Sequence, residues 1–258
     1  MTIKPLIIAN WKMNLSLTER TVLALEVKDS MGSIDTVDIV LCPSFVSLTT
    51  VQNIITDSKL HLGSQDVFWE KSGAYTGEES PAVLYELGCR YALVGHSERR
   101  QHLGETSEMV HKKVERCLEH RLTPVVCVGE TFEQRQRGQT DNVIYEQISK
   151  ALSGIVLTDH DQLVIAYEPV WVIGSGQAID VYEASQVFQV IYQTLVDSIP
   201  PTILKNNVRI IYGGSVDAHN TQEFLDIEHC SGLLIGGASL KAQTFNEIVT
   251  ITSHAYSS

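Results

Sequence analysis

The sequence predicts an α/β protein of the (β/α)8 barrel class, a single domain spanning 1–258. Three observations predict it: eight short runs rich in Ile, Val and Leu, helical apolar stripes between them, and a length suited to one large core. The runs are PLIIAN (5–10), VDIVLC (37–42), LHLGSQ (60–65), RYALVG (90–95), LTPVVCVG (122–129), QLVIAYE (162–168), NVRIIYGG (207–214) and GLLIGG (232–237). Several are continuously apolar rather than alternating, as parallel strands covered on both faces require. Alternation of strand with helix implies parallel βα units, and eight of them favour closure over an open doubly wound sheet.

The helices are legible in the intervening segments. Ser16 followed by Glu19 reads as a capping box opening the first helix. Val110, Val114, Cys117 and Leu118 recur at helical spacing, as do Val181, Ala184, Val187, Phe188, Ile191 and Leu195. SERRQ, after His96, can begin another helix. The main irregularity is 66–80, DVFWEKSGAYTGEES, too long for an ordinary βα connection and carrying Val67, Phe68, Trp69 and Tyr75. A connection of that length is usually functional or interfacial, and a partner surface is expected to cover those side chains.

Composition narrows the function classes. With Lys+Arg 19 against Asp+Glu 31, the net charge of −12 argues against nucleic-acid or anionic-membrane partners. Five cysteines without a Cys-x-x-Cys pair suit reduced core thiols in a cytoplasmic protein better than disulfides or zinc. Neither a basic leader nor a stretch of transmembrane length is apparent, so a soluble protein is expected.

Chemistry-bearing residues gather where the strands end. Asn10 and Lys12 follow the first strand, Gln65 the third, His96 the fourth and Glu168 the sixth; Gly213, Gly214 and Ser215 follow the seventh, and Gly236 and Gly237 the eighth. Barrel active sites are built on that rim, with phosphate often held after strands seven and eight. A carboxylate ending a buried strand is costly unless paired or used, which makes Glu168 a candidate general base. A salt-bridged structural carboxylate is the alternative. Pro169–Ile173 form a bulky apolar loop suited to a lid that excludes water, and Gly174 and Gly176 allow close backbone approach. His96 sits where a helix N-terminus disfavours imidazolium, so a neutral ring can donate to a carbonyl oxygen. Lys12, beside Trp11, is a candidate fixed cation that Glu98 could hold in position; a solvated surface lysine is its bland alternative. The two glycine pairs can converge their N–H groups on one phosphate, although neither GxxxxGK[ST] nor GxGxxG occurs.

ANWKMN, GHSERR, AYEPVWVIGSG, IYGGSV and GGASL together resemble the triosephosphate isomerase family, in the family's order and over nearly the whole chain. The resemblance implies a homodimeric barrel without cofactor or metal that interconverts dihydroxyacetone phosphate and glyceraldehyde 3-phosphate in glycolysis and gluconeogenesis. It implies Glu168 as base, His96 as electrophile, and Lys12 with Asn10 in the substrate site. Gly174, Ser215, Gly236 and Gly237 match the family's phosphate contacts, and Thr76 the residue that reaches the partner's site. Two positions depart, since the family commonly has Ala and Thr where this chain has Val172 and Ser175. A phosphosugar lyase or aldolase would need a Schiff-base lysine inside the strands or a metal cluster, and neither is apparent. A non-catalytic phosphate-binding protein would need no base.

Overall fold

The computed structural model describes residues 3–173 and 178–256. Eight strands form one closed parallel barrel in chain order: β1 Leu6–Asn10, β2 Asp38–Cys42, β3 His61–Ser64, β4 Cys89–Val94, β5 Thr123–Val128, β6 Leu163–Tyr167, β7 Val208–Tyr212 and β8 Cys230–Ile235. Closure is made by β1 against β8, with Leu6 opposite Gly232 and Ala9 opposite Ile235. A closed sheet has no edge to protect, and all eight strand ends face one rim.

The continuously apolar runs have two destinations. Along β1, Leu6 and Ile8 point into the lumen with Val40, Leu93, Val125, Val164 and Ile211. Ile7 and Ala9, from the same strand, join the larger core between sheet and helices. Beyond their first residues both faces of the strands are therefore dry, which is why the period-two pattern is absent from the sequence.

The helical expectations hold at their termini. Ser16 Oγ accepts the Glu19 N–H at 3.3 Å while Glu19 Oε2 accepts the Ser16 N–H at 2.7 Å, opening the helix Leu17–Met31. Val110, Val114 and Cys117 are buried on the helix Ser107–Glu119, and Ala184, Val187, Phe188, Ile191 and Leu195 on Val181–Val196. The eighth strand begins two residues before its predicted start and ends two before its predicted end, where Gly236 and Gly237 leave the ladder for the 3-10 turn Gly237–Leu240.

In the 66–80 segment, two of the four side chains expected under a partner surface are covered within the chain. Val67 and Phe68, at 1% and 7% exposure, are covered by their own chain. Phe68 stacks on Trp69 with centroids 4.1 Å apart and meets Tyr75 at 4.6 Å, and its N–H donates to Glu79 O at 3.0 Å. The loop thus packs on its own aromatics, and only Tyr75 among its four large apolar side chains remains exposed. All five cysteines are free and buried.

Candidate active site

Glu168 follows β6 directly and is 2% exposed. Its N–H donates to Val128 O at 2.7 Å, so the residue is still anchored to β5 although it has left the ladder. Two glycines make room for it. A Cβ on Gly129 would stand 1.7 Å from Glu168 O, and one on Gly213 would stand 3.0 Å from Glu168 Cγ. Both carboxylate oxygens are engaged: Oε2 accepts the Ser97 N–H at 3.1 Å, and Oε1 lies 3.1 Å from His96 Nε2.

His96 is the N-cap of the short helix Ser97–Leu103, as its sequence position suggested. Its Nδ1 accepts the Glu98 N–H at 3.2 Å, which in the neutral ring leaves the proton on Nε2, the nitrogen facing Glu168 and the cleft. Glu98 Oε1 also receives Lys12 Nζ at 2.6 Å, so one carboxylate next to the imidazole positions the ammonium.

Lys12 has φ 51°, in the left-handed region that costs a non-glycine residue about 1–2 kcal/mol. The strain is held by neighbours. Asn10 Oδ1 accepts the Lys12 N–H at 3.0 Å, and Gln65 Nε2 donates to Lys12 O and to Cys42 O, each at 2.9 Å. Strained backbone secured in this way clusters at functional sites, because it aims a side chain where an unstrained one would not point.

These groups share a cleft of about 420 Å³ with Gly213, Gly214, Ser215, Gly236 and Gly237. Ser239 N–H turns back to Gly236 O at 2.9 Å, closing the 3-10 turn whose first N–H groups have no intrahelical partner. Of the expected site residues, Asn10, Lys12, His96, Glu168, Ser215, Gly236 and Gly237 therefore come together, with Glu98 bridging two of them. Gly174, and with it Ser175, lies outside the described residues. Thr76 is exposed on a turn and lines no part of the cleft in its own chain.

The sequence reading missed two features. Glu130 follows β5 as Glu168 follows β6, so the same signal, a carboxylate at a strand end, could have found it. Fully buried, it accepts Tyr167 Oη–H at 3.2 Å and Trp171 Nε1–H at 3.0 Å, and burial raises its pKa. Trp171 is also covered by Arg135, whose guanidinium carbon is 4.6 Å from a ring centroid, so the start of the segment expected to act as a lid is tied down at this carboxylate. The second feature is a buried charge cluster. Lys113, on an otherwise apolar stripe, reaches Asp66 at 2.5 Å and Glu105 at 3.0 Å, and Arg99 reaches Asp66 at 2.8 Å and Glu105 at 2.5 Å. The helical period puts Lys113 on the same face as Val110, Val114 and Cys117, a signal that could have marked it as a buried charge, but not which carboxylates meet it there. Among the described residues no group of three or more His, Cys, Asp or Glu could hold a metal ion.

A buried carboxylate, an imidazole with its proton on the cleft side and a fixed ammonium can together move a proton from carbon and carry charge on oxygen. Comparison with known proteins agrees with that chemistry. The family model described as triosephosphate isomerase matches residues 5–252. The chain is 43% identical over 246 residues to a protein named triosephosphate isomerase from Dictyoglomus turgidum, covering 95% of this chain and 98% of that one. It is 44% identical over 250 residues to the protein of that name from Thermoanaerobacter sp., and 44% over 246 residues to that from Alkaliphilus metalliredigens, with the same coverage. With this rim geometry on a closed eightfold barrel and matches over nearly the whole chain, the protein belongs to the triosephosphate isomerase family.

Proposed function

We propose that the protein isomerises dihydroxyacetone phosphate and D-glyceraldehyde 3-phosphate through an enediolate, in glycolysis and gluconeogenesis, with Glu168, His96 and Lys12 as the catalytic groups. The observation that carries the assignment of roles is the placement of Glu168 Oε1 3.1 Å from His96 Nε2 in a cleft that Lys12 also lines. Glu168 removes the proton from the carbon beside the carbonyl and returns it to the neighbouring carbon. Nε2–H of His96 and Nζ of Lys12 stabilise the charge developing on oxygen. A neutral histidine beside a glutamate base is the division of labour known for triosephosphate isomerases. Both Glu168 oxygens have partners within the protein, so the base gives up at least one contact to take a proton from substrate. Asn10, Gly174, Ser215, Gly236 and Gly237 bind substrate, the last four at its phosphate, and Glu98 holds Lys12.

The working unit in this reading is a cytoplasmic homodimer. Five free, buried thiols suit a reducing compartment. Beside the cleft, a groove of about 660 Å³ is lined by Lys12, Met13, Phe45, His96, Glu98 and Leu103 among others, with Met13 94% and Leu103 65% exposed. In this reading the 66–80 loop of a second copy, with Thr76 exposed on its turn, enters that groove and brings Thr76 next to Lys12. An assay with D-glyceraldehyde 3-phosphate, coupled to NADH-dependent reduction of dihydroxyacetone phosphate, tests the activity; a pure, folded protein with no turnover overturns it.

A further inference from the structure

The opposite end of the barrel holds a second cleft, of about 560 Å³, at the N-terminal ends of β3 to β6. Four basic side chains line it: His61, Arg90, Arg121 and His160. In a chain where acidic residues outnumber basic ones, most guanidinium groups find a carboxylate. Arg99, Arg116, Arg135, Arg137 and Arg209 each have one within 4.0 Å. Arg90 and Arg121 have none among the described residues.

Of the two acidic residues of this cleft, Glu119 pairs with Arg116, while Asp161 keeps its charge and is turned to its own loop, Oδ2 accepting from Thr158 N and Oγ1, each at 2.8 Å. Arg90 is nonetheless held, since Nη1 donates to Cys89 O at 2.8 Å and its guanidinium carbon stands 4.7 Å from the Tyr85 ring centroid. The His160 loop is clamped as well, with Asn207 Nδ2 donating to Asp159 O at 3.0 Å and to Asp161 O at 2.7 Å. Arg121 adds a further observation. Its φ is 60°, a left-handed conformation after a helix C-terminus that glycine enters freely and arginine only at a cost. The conformation ends the helix, with the Arg121 N–H donating to Leu118 O at 3.1 Å and the Leu122 N–H to Cys117 O at 2.9 Å, while among the described residues the Arg121 side chain makes neither a hydrogen bond nor an ion pair.

We propose that this cleft is an anion site for a small phosphorylated or diphosphate compound, with Arg90 and Arg121 as its two charged forks and His61 and His160 as flanking donors. Guanidinium groups match phosphoryl oxygens in paired hydrogen bonds, and the cleft is larger than a single phosphate needs. The site is separate from the barrel mouth and does not depend on the isomerase reading.

Inorganic pyrophosphate is the probe, followed through the ring C–H signals of His61 and His160 in proton NMR spectra, with His96 reporting on the barrel mouth. Saturable shifts of His61 and His160 are expected. Arg90→Gln and Arg121→Gly should each weaken that binding about tenfold or more, as loss of a bidentate partner does, while turnover and the His96 response stay as in the wild type. Glycine suits the backbone at 121, so Arg121→Gly should keep or raise the melting temperature. A linear drift of the signals equal to that with sodium chloride at matched ionic strength overturns the proposal. So does an Arg121→Gly protein that melts earlier and binds pyrophosphate unchanged, since the arginine then serves the fold.

Discussion

His96 Nε2 and Glu168 Oε1 stand 3.1 Å apart across the barrel mouth, the imidazole capping one helix and the carboxylate ending a strand two strands away. The pairing orders the proposed base and the proposed electrophile against each other. Replacing Glu168 by Gln preserves its shape and removes its basicity. Turnover should fall on the order of 10²–10⁴-fold with a much smaller change in KM, and unchanged turnover in a folded Glu168→Gln protein would remove the base from the mechanism.

Gly213 tests how closely Glu168 must be placed. An alanine Cβ there would lie 3.0 Å from Glu168 Cγ, so the carboxylate rather than the barrel gives way. Displacement by a fraction of an ångström to 1 Å is expected to lower kcat by up to about 10²-fold. The melting temperature should change little. Gly129→Ala provides the contrast, because its Cβ would stand 1.7 Å from the Glu168 backbone oxygen and the chain cannot yield so far. That variant should lose stability together with activity.

Trp171→Phe removes the indole N–H that Glu130 accepts at 3.0 Å and keeps most of the ring. A buried carboxylate then loses one of its donors, at a cost of about 1–3 kcal/mol. Thermal unfolding should occur several degrees lower, and KM and kcat should both change because the lid's anchor is loosened. Wild-type melting and kinetics in this variant would show that the contact does not hold the lid.

The charge cluster beneath the 66–80 loop sets a pH dependence. Burial, assisted by the Glu105 charge, outweighs Lys113 and Arg99 and raises the Asp66 pKa from 3.8 to about 6. A carboxyl whose folded pKa lies above its unfolded value binds its proton more tightly in the folded state. Its stabilising contribution is therefore complete below about pH 4 and declines as pH rises through about 6. Unfolding free energy, measured by denaturant at fixed protein concentration, should fall between pH 4 and 7 through this group. The corresponding slope should be missing in Asp66→Asn, and an equal slope in that variant would assign the titration elsewhere.

Thr76→Arg tests the dimer. The residue is exposed in its own chain, so the substitution should leave the monomer fold intact and place an unpaired cation in the expected contact. Sedimentation should shift towards the monomer with a parallel loss of turnover. A Thr76→Arg protein that stays dimeric and fully active would place the interface elsewhere.

Local patterning made much of this protein legible without coordinates. Apolar runs, capping at Ser16 and Glu19, and reactive residues at strand ends are short-range properties, and closure of parallel βα units then puts the strand ends on one rim. Glu168, His96 and Lys12 could be singled out because a polar group ending an apolar strand breaks a pattern. What they touch depends on residues far away in sequence. The Ser97 N–H on Glu168 and the Gln65 clamp on the left-handed backbone at Lys12 exist only once the barrel has closed. The same holds for burial. The period puts Lys113 on a buried face without saying that Asp66 and Glu105 meet it there, and Phe68 reads as a partner contact until Trp69 and Tyr75 fold over it. Periodicity records which face a residue is on, whereas desolvation and charge pairing depend on what packs against that face, and that is decided in three dimensions.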